Sequence, residues 1–321
     1  MRILVAGGCG YVGSKLCPTL ADLGYTVDVI DLCWFGNPFN NDSRINVVNK
    51  NLFDCKETDL QGYDQVIFLA GMSNDPMAEF APSENFVYNA ALPSYLAFIA
   101  KKAGVKRYVY ASSCSVYGYT WDKLYTEEDP VTCGYPYGIS KLQGERGVMQ
   151  QCDTKFSVVC LRKGTISGYA PKMRLDLIVN TMYKFARSLK KVTVNNPAIW
   201  RPILSINDAV SAYTRAVQAH QSISGVFNIS SGNYTVGEVA EIVADMLPGT
   251  SLDIHNKQDM RNYKVTCKKA REVLSFRPRN TVADIVNELL EHEENFKIFD
   301  NMMYYNIQVI RELPEFQNAS K

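Results

Sequence analysis

The chain begins with the apolar run Met1-Arg-Ile-Leu-Val-Ala6, which leads directly into Gly7-Gly-Cys-Gly-Tyr-Val-Gly13. The residues that follow, Ser14 to Asp22, are typical of the start of a helix. In this order of strand, tight turn and helix, three spaced glycines allow a sharp turn, a close approach to a pyrophosphate and close helix–strand packing. The stretch therefore predicts a dinucleotide-binding site.

A second predicted strand, Tyr25-Thr-Val-Asp-Val-Ile-Asp31, ends in a carboxylate eighteen residues after Gly13. A carboxylate at this place accepts both hydroxyls of an adenosine ribose and repels a phosphate there, which favours NAD over NADP. The alternative is that the glycines serve packing alone and that Asp31 caps a loop. Asn51 or Asp54, after the apolar run Ile45 to Val48, would meet the adenine edge or lie in a solvated loop.

Length and composition limit the classes of function. The 321 residues, 46% of them hydrophobic, allow one large or two modest domains. The 34 basic and 33 acidic residues give no reason to expect nucleic acid or membrane partners. Nine cysteines without a CxxC pair and three scattered histidines argue against disulfides and a metal site. With no signal-peptide pattern and no long apolar run, the expected location is cytoplasmic.

Strand-like runs alternate with helical patterns in the first half, which predicts an α/β fold with a Rossmann-type, doubly wound parallel sheet. A helix is expected from Asn85 to Ala103, with Pro93 kinking it or marking its start. Ligands of such sheets bind beyond the carboxyl ends of the strands. The predicted strands are Ile3–Ala6, Val27–Ile30, Ile45–Val48, Gln65–Ala70, Arg107–Ala111 and Phe156–Leu161.

The pattern loosens after about Gly164, which predicts a smaller α/β substrate-binding lobe. We expect residues 1–164 to form the NAD-binding domain and 165–321 mainly the lobe, with 200–220 packing back on the first domain. The predicted elements here are helices over 175–189, 208–219, 236–247 and 282–291 and strands over 192–194 and 226–229.

Tyr137 and Lys141 are four residues apart in a helical stretch that follows Pro136, so both side chains lie on one helix face. An ammonium beside a phenol is expected to lower the phenol's pKa, as a general base requires, and a cationic cofactor would act in the same direction. Ser113, after a strand, can hold the same substrate oxygen. Tyr119 and Lys123 share this spacing but are expected in a loop, and an exposed pair without function is the alternative for Tyr137 and Lys141.

With these residues, the chain resembles the extended short-chain dehydrogenase/reductase family, in particular the nucleotide-sugar epimerases and dehydratases typified by UDP-galactose 4-epimerase. The resemblance runs over nearly the whole chain. It is carried by the residues 7–13, 66–71, 111–118, 136–141, 200–208 and 226–236, together with Asn89.

The resemblance implies roles for individual residues. Ser113 is the catalytic serine, Tyr137 the base, Lys141 its partner on the nicotinamide ribose, and Arg201 the ligand of the substrate diphosphate, unless Arg201 is a surface arginine beside Trp200. The cofactor residues that it implies are Gly7, Gly10, Tyr11, Val12, Gly13, Asp31, Asn51, Leu52, Leu69, Ala70, Met72, Asn89 and Lys141. The substrate residues are Ser113, Tyr137, Thr165, Arg174, Asn180, Arg201 and Arg261.

Departures from the family pattern bear on the subtype. The acid pair of hexose 4,6-dehydratases and the glutamate of glucuronate decarboxylases are replaced at Cys114 and Ser115, and the cysteine of GDP-fucose synthases is Ser115. The family's RYFN is Arg162-Lys-Gly-Thr165, and the histidine of its RDFIHV is Ser205. The arginine expected before Asp259 is absent, with Lys257 or Arg261 as possible substitutes. Cys114 is expected to be a small buried residue rather than a nucleophile.

The resemblance thus implies an NAD-dependent epimerase of a nucleotide-diphosphate hexose, most simply at C4 through a transient 4-keto sugar. The alternatives are an NAD(P)H-dependent 4-keto-sugar reductase, a nucleotide-sugar dehydratase, and a non-catalytic NAD-binding scaffold. Resemblance also implies a homodimer formed by the helices near residues 89–103 and 137–151, whose apolar positions would otherwise pack on the sheet.

Overall fold

A computed structural model gives the fold of residues 1–256 and 262–317, with the backbone alone described at 120–122. Short runs rich in β-branched residues form its strands. In chain order these are β1 (Arg2–Ala6), β2 (Thr26–Asp31), β3 (Ile45–Asn49), β4 (Gln65–Phe68), β5 (Arg107–Ser113), β6 (Tyr119–Tyr125), β7 (Ser157–Lys163), β8 (Thr165–Ser167), β9 (Lys191–Asn195), β10 (Trp200–Ser205), β11 (Gly225–Ile229), β12 (Gly232–Thr235), β13 (Ser251–His255) and β14 (Asn262–Val265).

Helices begin at capping residues in several places; Thr235 and Thr281, for example, each form a capping box with an acid three residues later. The helices are α1 (Gly13–Asp22), α2 (Glu57–Leu60), α3 (Asp75–Phe80), α4 (Pro82–Phe86), α5 (Leu92–Lys102), α6 (Pro136–Met149), α7 (Ile178–Leu189), α8 (Ile206–Gln218), α9 (Val236–Met246), α10 (Lys268–Val273), α11 (Val282–Glu291) and α12 (Asn306–Glu312). A π-helical turn spans Val87–Ala91, and 3₁₀ turns span Leu52–Asp54, Cys114–Tyr117, Glu293–Asn295, Met302–Tyr304 and Pro314–Phe316.

Seven parallel strands form the central sheet in the order β11-β7-β5-β4-β1-β2-β3. Its strands are apolar on both sides, as a sheet covered by helices on both faces requires. Along β1, Ile3 and Val5 belong to one buried cluster and Leu4 and Ala6 to another. The predicted Rossmann-type, doubly wound fold is confirmed.

The chain returns to this sheet after passing through the smaller lobe. β11 pairs with β7 at the edge of the large sheet, and α8 packs into the same core as β1 through Tyr213 and Ala216. The lobe has its own core between α7, α9 and α11. Residues beyond 164 therefore help to build the large sheet as well as the lobe.

Local differences from the sequence predictions have local causes. The helix expected over 85–103 is α4, the π-helical turn and α5 in succession, and Pro93 lies in the first turn of α5. The loop expected around Tyr119 is wrong, because that stretch is β6, which pairs with β14. Within the described residues, no helix is long and apolar enough to cross a membrane.

Candidate active site

A cavity of about 630 Å³ opens beyond the carboxyl ends of β1, β2, β4, β5 and β7 and is closed on the other side by the lobe. Its size suits a ligand-binding site, and its place is the one expected for such sheets. The predicted site residues that line it are Gly7, Gly10, Tyr11, Val12, Gly13, Asp31, Asn51, Leu52, Leu69, Ala70, Ser113, Tyr137, Thr165, Arg174 and Arg201.

Four predicted site residues lie behind the wall of the cavity instead of on it: Met72, Asn89, Lys141 and Asn180. The Asn89 amide donates to the Met72 carbonyl at 2.8 Å, while the Asn180 amide donates to the Arg174 carbonyl at 2.7 Å. These contacts fix the backbone beneath the site. Arg261, like Lys257, lies outside the described residues.

Two glycines of the glycine-rich turn, Gly7 and Gly13, have no room for a side chain. Gly7 has a φ of +82°, and a Cβ there would lie 2.4 Å from the Ala70 nitrogen. A Cβ on Gly13, the first residue of α1, would lie 2.2 Å from the Gly8 carbonyl oxygen. At Gly10 the nearest protein atom would be 3.6 Å away. The turn is thus a cradle of bare backbone at a helix N-terminus, which fits the pyrophosphate of a dinucleotide.

Asp31 ends β2 at the cavity wall. Its carboxylate accepts hydrogen bonds from the backbone N–H of Cys9 at 2.9 Å and of Cys33 at 2.7 Å. Burial raises the pKa of Asp31, and these backbone bonds oppose the rise. An orientated carboxylate at this point has acceptor capacity left for the hydroxyls of a ribose.

Cys9, Asp31 and Cys33 place possible metal-ligand atoms within 4.8 Å of one another. The carboxylate is already bound by two backbone N–H groups, and burial raises the pKa of both thiols. Metal binding needs thiolates, which this environment disfavours. We therefore assign the cluster to the turn that holds Asp31 and not to a metal.

Ser113 and Tyr137 approach the cavity from two elements. Ser113 ends β5, where its hydroxyl accepts a bond from the Ser115 N–H at 3.1 Å. Tyr137 lies in the first turn of α6, which begins at Pro136. The Ser113 hydroxyl opposes the rise in the pKa of the Tyr137 phenol, so the two side chains are close enough to interact. The two groups together can hold one substrate oxygen and move its proton.

The sequence predicts that Lys141 lowers the pKa of Tyr137, but in the structure the pKa of Tyr137 is raised. Burial raises the pKa of Tyr137 to about 12, although Ser113 and Arg174 oppose the rise. Burial and the charge of Lys163 lower the pKa of Lys141, so its ammonium form is itself disfavoured. The Lys141 nitrogen lies 4.6 Å from the centre of the Tyr110 ring. For both side chains, loss of hydration outweighs the attraction between ammonium and phenolate that their spacing predicts.

A buried ion pair supports this region from below, and sequence reasoning missed it. Arg162 donates to both carboxylate oxygens of Glu145, at 2.6 and 2.9 Å, and Ser112 donates to the same carboxylate at 2.7 Å. Glu145 lies on α6 eight residues after Tyr137, on the face that carries Lys141. This spacing in the sequence could have indicated that Glu145 faces the sheet together with Lys141. The pair fixes α6 against the ends of β5 and β7.

The lobe side of the cavity carries two arginines. Arg174 is buried and forms two bonds to Asp176, at 2.8 and 2.9 Å, and one to Ser73 at 2.9 Å. Arg201, on β10, donates to the Trp200 carbonyl at 3.0 Å, and its guanidinium lies 5.9 Å from the centre of the Tyr263 ring. Tyr263, like Asp176 and Lys163, lines the cavity without having been predicted as a site residue.

Known proteins resemble the chain over most of its length. Residues 3–230 match the model of the NAD dependent epimerase/dehydratase family. An uncharacterized UDP-glucose epimerase of Bacillus subtilis strain 168 is 26% identical, covering 90% of this chain and 97% of that protein. A UDP-glucose 4-epimerase of Neisseria meningitidis serogroup C is 24% identical, covering 86% and 88%. The solved structure of MoeE5 in complex with UDP-glucuronic acid and NAD is 25% identical with a TM-score of 0.81, covering 92% and 99%.

Proposed function

Because the chain belongs to the NAD dependent epimerase/dehydratase family, we propose that it is an NAD-dependent epimerase that inverts C4 of a nucleotide-diphosphate hexose. The observation that carries this is that the glycine turn and Asp31 line the same cavity as Ser113, Tyr137 and Arg201. The cradle for the dinucleotide, the proton-transfer pair Ser113 and Tyr137, and the cation Arg201 therefore all face the same cavity.

The residues divide the reaction among them. The glycine turn holds the pyrophosphate of NAD, and Asp31 its adenosine ribose. Bound NAD would supply the site with reversible hydride transfer at the sugar carbon, with no net redox change. Tyr137 takes the proton of the sugar hydroxyl as base and gives it back, while Ser113 holds the oxygen. Arg201 binds the diphosphate, so that the sugar can turn without leaving.

The positions where dehydratases carry acids support epimerisation over elimination of water. Cys114 is buried, and its thiol donates to the Arg162 carbonyl at 3.1 Å instead of facing the cavity. Ser115 lines the cavity but has no acidic proton to give. The site lacks carboxylates at both of these positions.

The test is to incubate the purified protein, without added cofactor, with a panel of UDP-, dTDP-, GDP- and CDP-sugars and to analyse products by mass spectrometry and proton NMR. We expect unchanged mass with altered stereochemistry at C4. Tyr137→Phe should abolish turnover while NAD stays bound. Tyr119 belongs to the second YxxxK stretch, and Tyr119→Phe should retain turnover. Loss of water, or turnover only of 4-keto sugars with added NAD(P)H, would overturn the proposal.

The assembly and location follow as part of the same proposal. Exposed apolar side chains lie on the helices from α4 to α6: Phe86, Val87, Phe98 and Ile139. Exposed apolar side chains on helices that pack against one another support a homodimer formed by these helices. All nine cysteines are free, which supports a cytoplasmic, reducing location. Light scattering should then give twice the chain mass of 36.1 kDa.

A further inference from the structure

Lys163 ends β7 and is the direct partner of Ser113, which ends the neighbouring strand β5. Paired residues of adjacent parallel strands lie roughly 5 Å apart and point to the same side of the sheet. Both side chains line the cavity. An ammonium therefore stands beside the serine that holds the reacting sugar oxygen.

The carboxylates on the described wall of the cavity do not neutralise Lys163. Asp176 is bound twice by Arg174, at 2.8 and 2.9 Å, and Asp31 lies at the adenosine end of the cavity. Asp75 has interactions of its own. Within the described residues the Lys163 side chain makes no hydrogen bond, ion pair or ring contact. It is a partly buried cation that faces the cavity without an anion.

Holding the Lys163 ammonium in this partly buried position reduces the free energy of unfolding. Burial and the neighbouring charge of Arg174 lower the pKa of Lys163 to about 8, so most of it is still protonated at neutral pH. Partly buried charges are normally paired. An apolar or neutral polar residue would avoid this cost, and a ligand anion would compensate for it.

We propose that Lys163 binds an anionic substituent on the sugar itself, so that the substrate is a nucleotide-linked hexuronic acid. This rests on the proposed function, because it takes Ser113 as the contact of the reacting hydroxyl. The diphosphate does not explain Lys163, since Arg201 on β10 is assigned to it. The C6 carboxylate of a hexuronic acid is attached to C5, the ring carbon next to C4. It therefore lies within the length of a lysine side chain from Ser113. The three N–H donors of an ammonium suit its two oxygens.

The test compares UDP-glucuronic acid with UDP-glucose, which differ only at C6. Binding is measured by calorimetry to the NAD-loaded Tyr137→Phe protein, where no turnover interferes, with and without Lys163→Met. We expect the acidic sugar to bind at least about 10-fold more tightly, as one charge-assisted hydrogen bond allows. Lys163→Met should remove most of this preference, and Lys163→Arg should retain much of it.

Lys155→Met removes an exposed lysine just before β7 and is the matched control, which should keep the preference. Thermal melting of each variant establishes that it is folded. Equal affinity for the two sugars, binding of neither, or a preference that survives Lys163→Met would each overturn the inference. An acid preference that depends on Lys163 in a protein that epimerises none of the sugars would support the inference and refute the proposed function instead.

Discussion

Asp31 accepts a hydrogen bond from the backbone N–H of Cys9 at 2.9 Å, so the carboxylate that ends β2 is tied to the glycine-rich turn that ends β1. The two halves of the dinucleotide site are therefore set relative to each other before any ligand arrives. Preorganisation of this kind lowers the ordering cost of binding.

Asp31→Asn should weaken NAD binding by about 10-fold and reduce the discrimination against NADP, because an uncharged amide loses a charge-assisted acceptor and no longer repels a phosphate. Calorimetric titration with both dinucleotides measures the change. Asp22→Asn, an exposed carboxylate in α1, is the control. Unchanged discrimination would show that Asp31 does not face the ribose.

Gly13→Ala should destabilise the protein by about 1–3 kcal/mol or more and impair NAD binding, because the added methyl meets backbone that cannot yield without moving α1 away from the turn. Gly134→Ala is the matched substitution, since a Cβ there meets no atom within 4 Å. Urea denaturation should separate the two variants. Similar midpoints would contradict the tight approach of Gly13 to Gly8.

Ser113→Ala should move the pH dependence of turnover. The Ser113 hydroxyl opposes the rise in the pKa of Tyr137, so its removal should raise that pKa further. Because the base must be deprotonated, the acid limb of the kcat/KM profile should shift to higher pH, in addition to a general loss of rate. A profile with lower rates but an unmoved acid limb would contradict the coupling of the two groups.

Lys163→Met should stabilise the protein at neutral pH. The pKa of Lys163 is about 8 in the folded protein, below its ordinary value of 10.5. Between these values the unfolded chain binds more protons, so stability rises with pH there, and the cost of Lys163 is present in full only below about pH 8. The gain from Lys163→Met should accordingly be largest at pH 7 and shrink towards pH 10.

Melting temperatures of the wild type, Lys163→Met and Lys155→Met at both pH values measure this gain. Lys155 is exposed, so its substitution should change little at either pH. A destabilised Lys163→Met at pH 7 would show that the lysine stem contributes packing that exceeds the cost of the charge.

Much of the site could be predicted because its signals are local. The glycine turn, Asp31 at a strand end, and Tyr137 after Pro136 are each defined within a few residues, and their structural setting was predicted correctly. Other features depend on distant partners that no local signal reveals. β6 is a strand because it pairs with β14, about 140 residues later. Asn180 turns to the backbone of Gly168 and Arg174, which no spacing reveals.

Electrostatics formed the second limit. The spacing of Tyr137 and Lys141 predicts attraction, but the shift of a pKa depends on how much water is removed, and that is set by the packing of the whole cavity. Lys163 became informative only through its register with Ser113, a relationship between two strands that are fifty residues apart in the chain.

The return of the chain to the large sheet at β11 has a consequence for synthesis on the ribosome. Until Ile229 has emerged, β7 is the bare edge of a nearly finished sheet, with its backbone N–H and C=O groups ready to pair with another nascent chain. Domains usually fold as units while the chain is still growing. The first 164 residues lack β11 and so cannot complete the large sheet. A chain that terminates within the lobe would therefore be an aggregation-prone fragment with an unpaired strand edge, and not an independently folded domain.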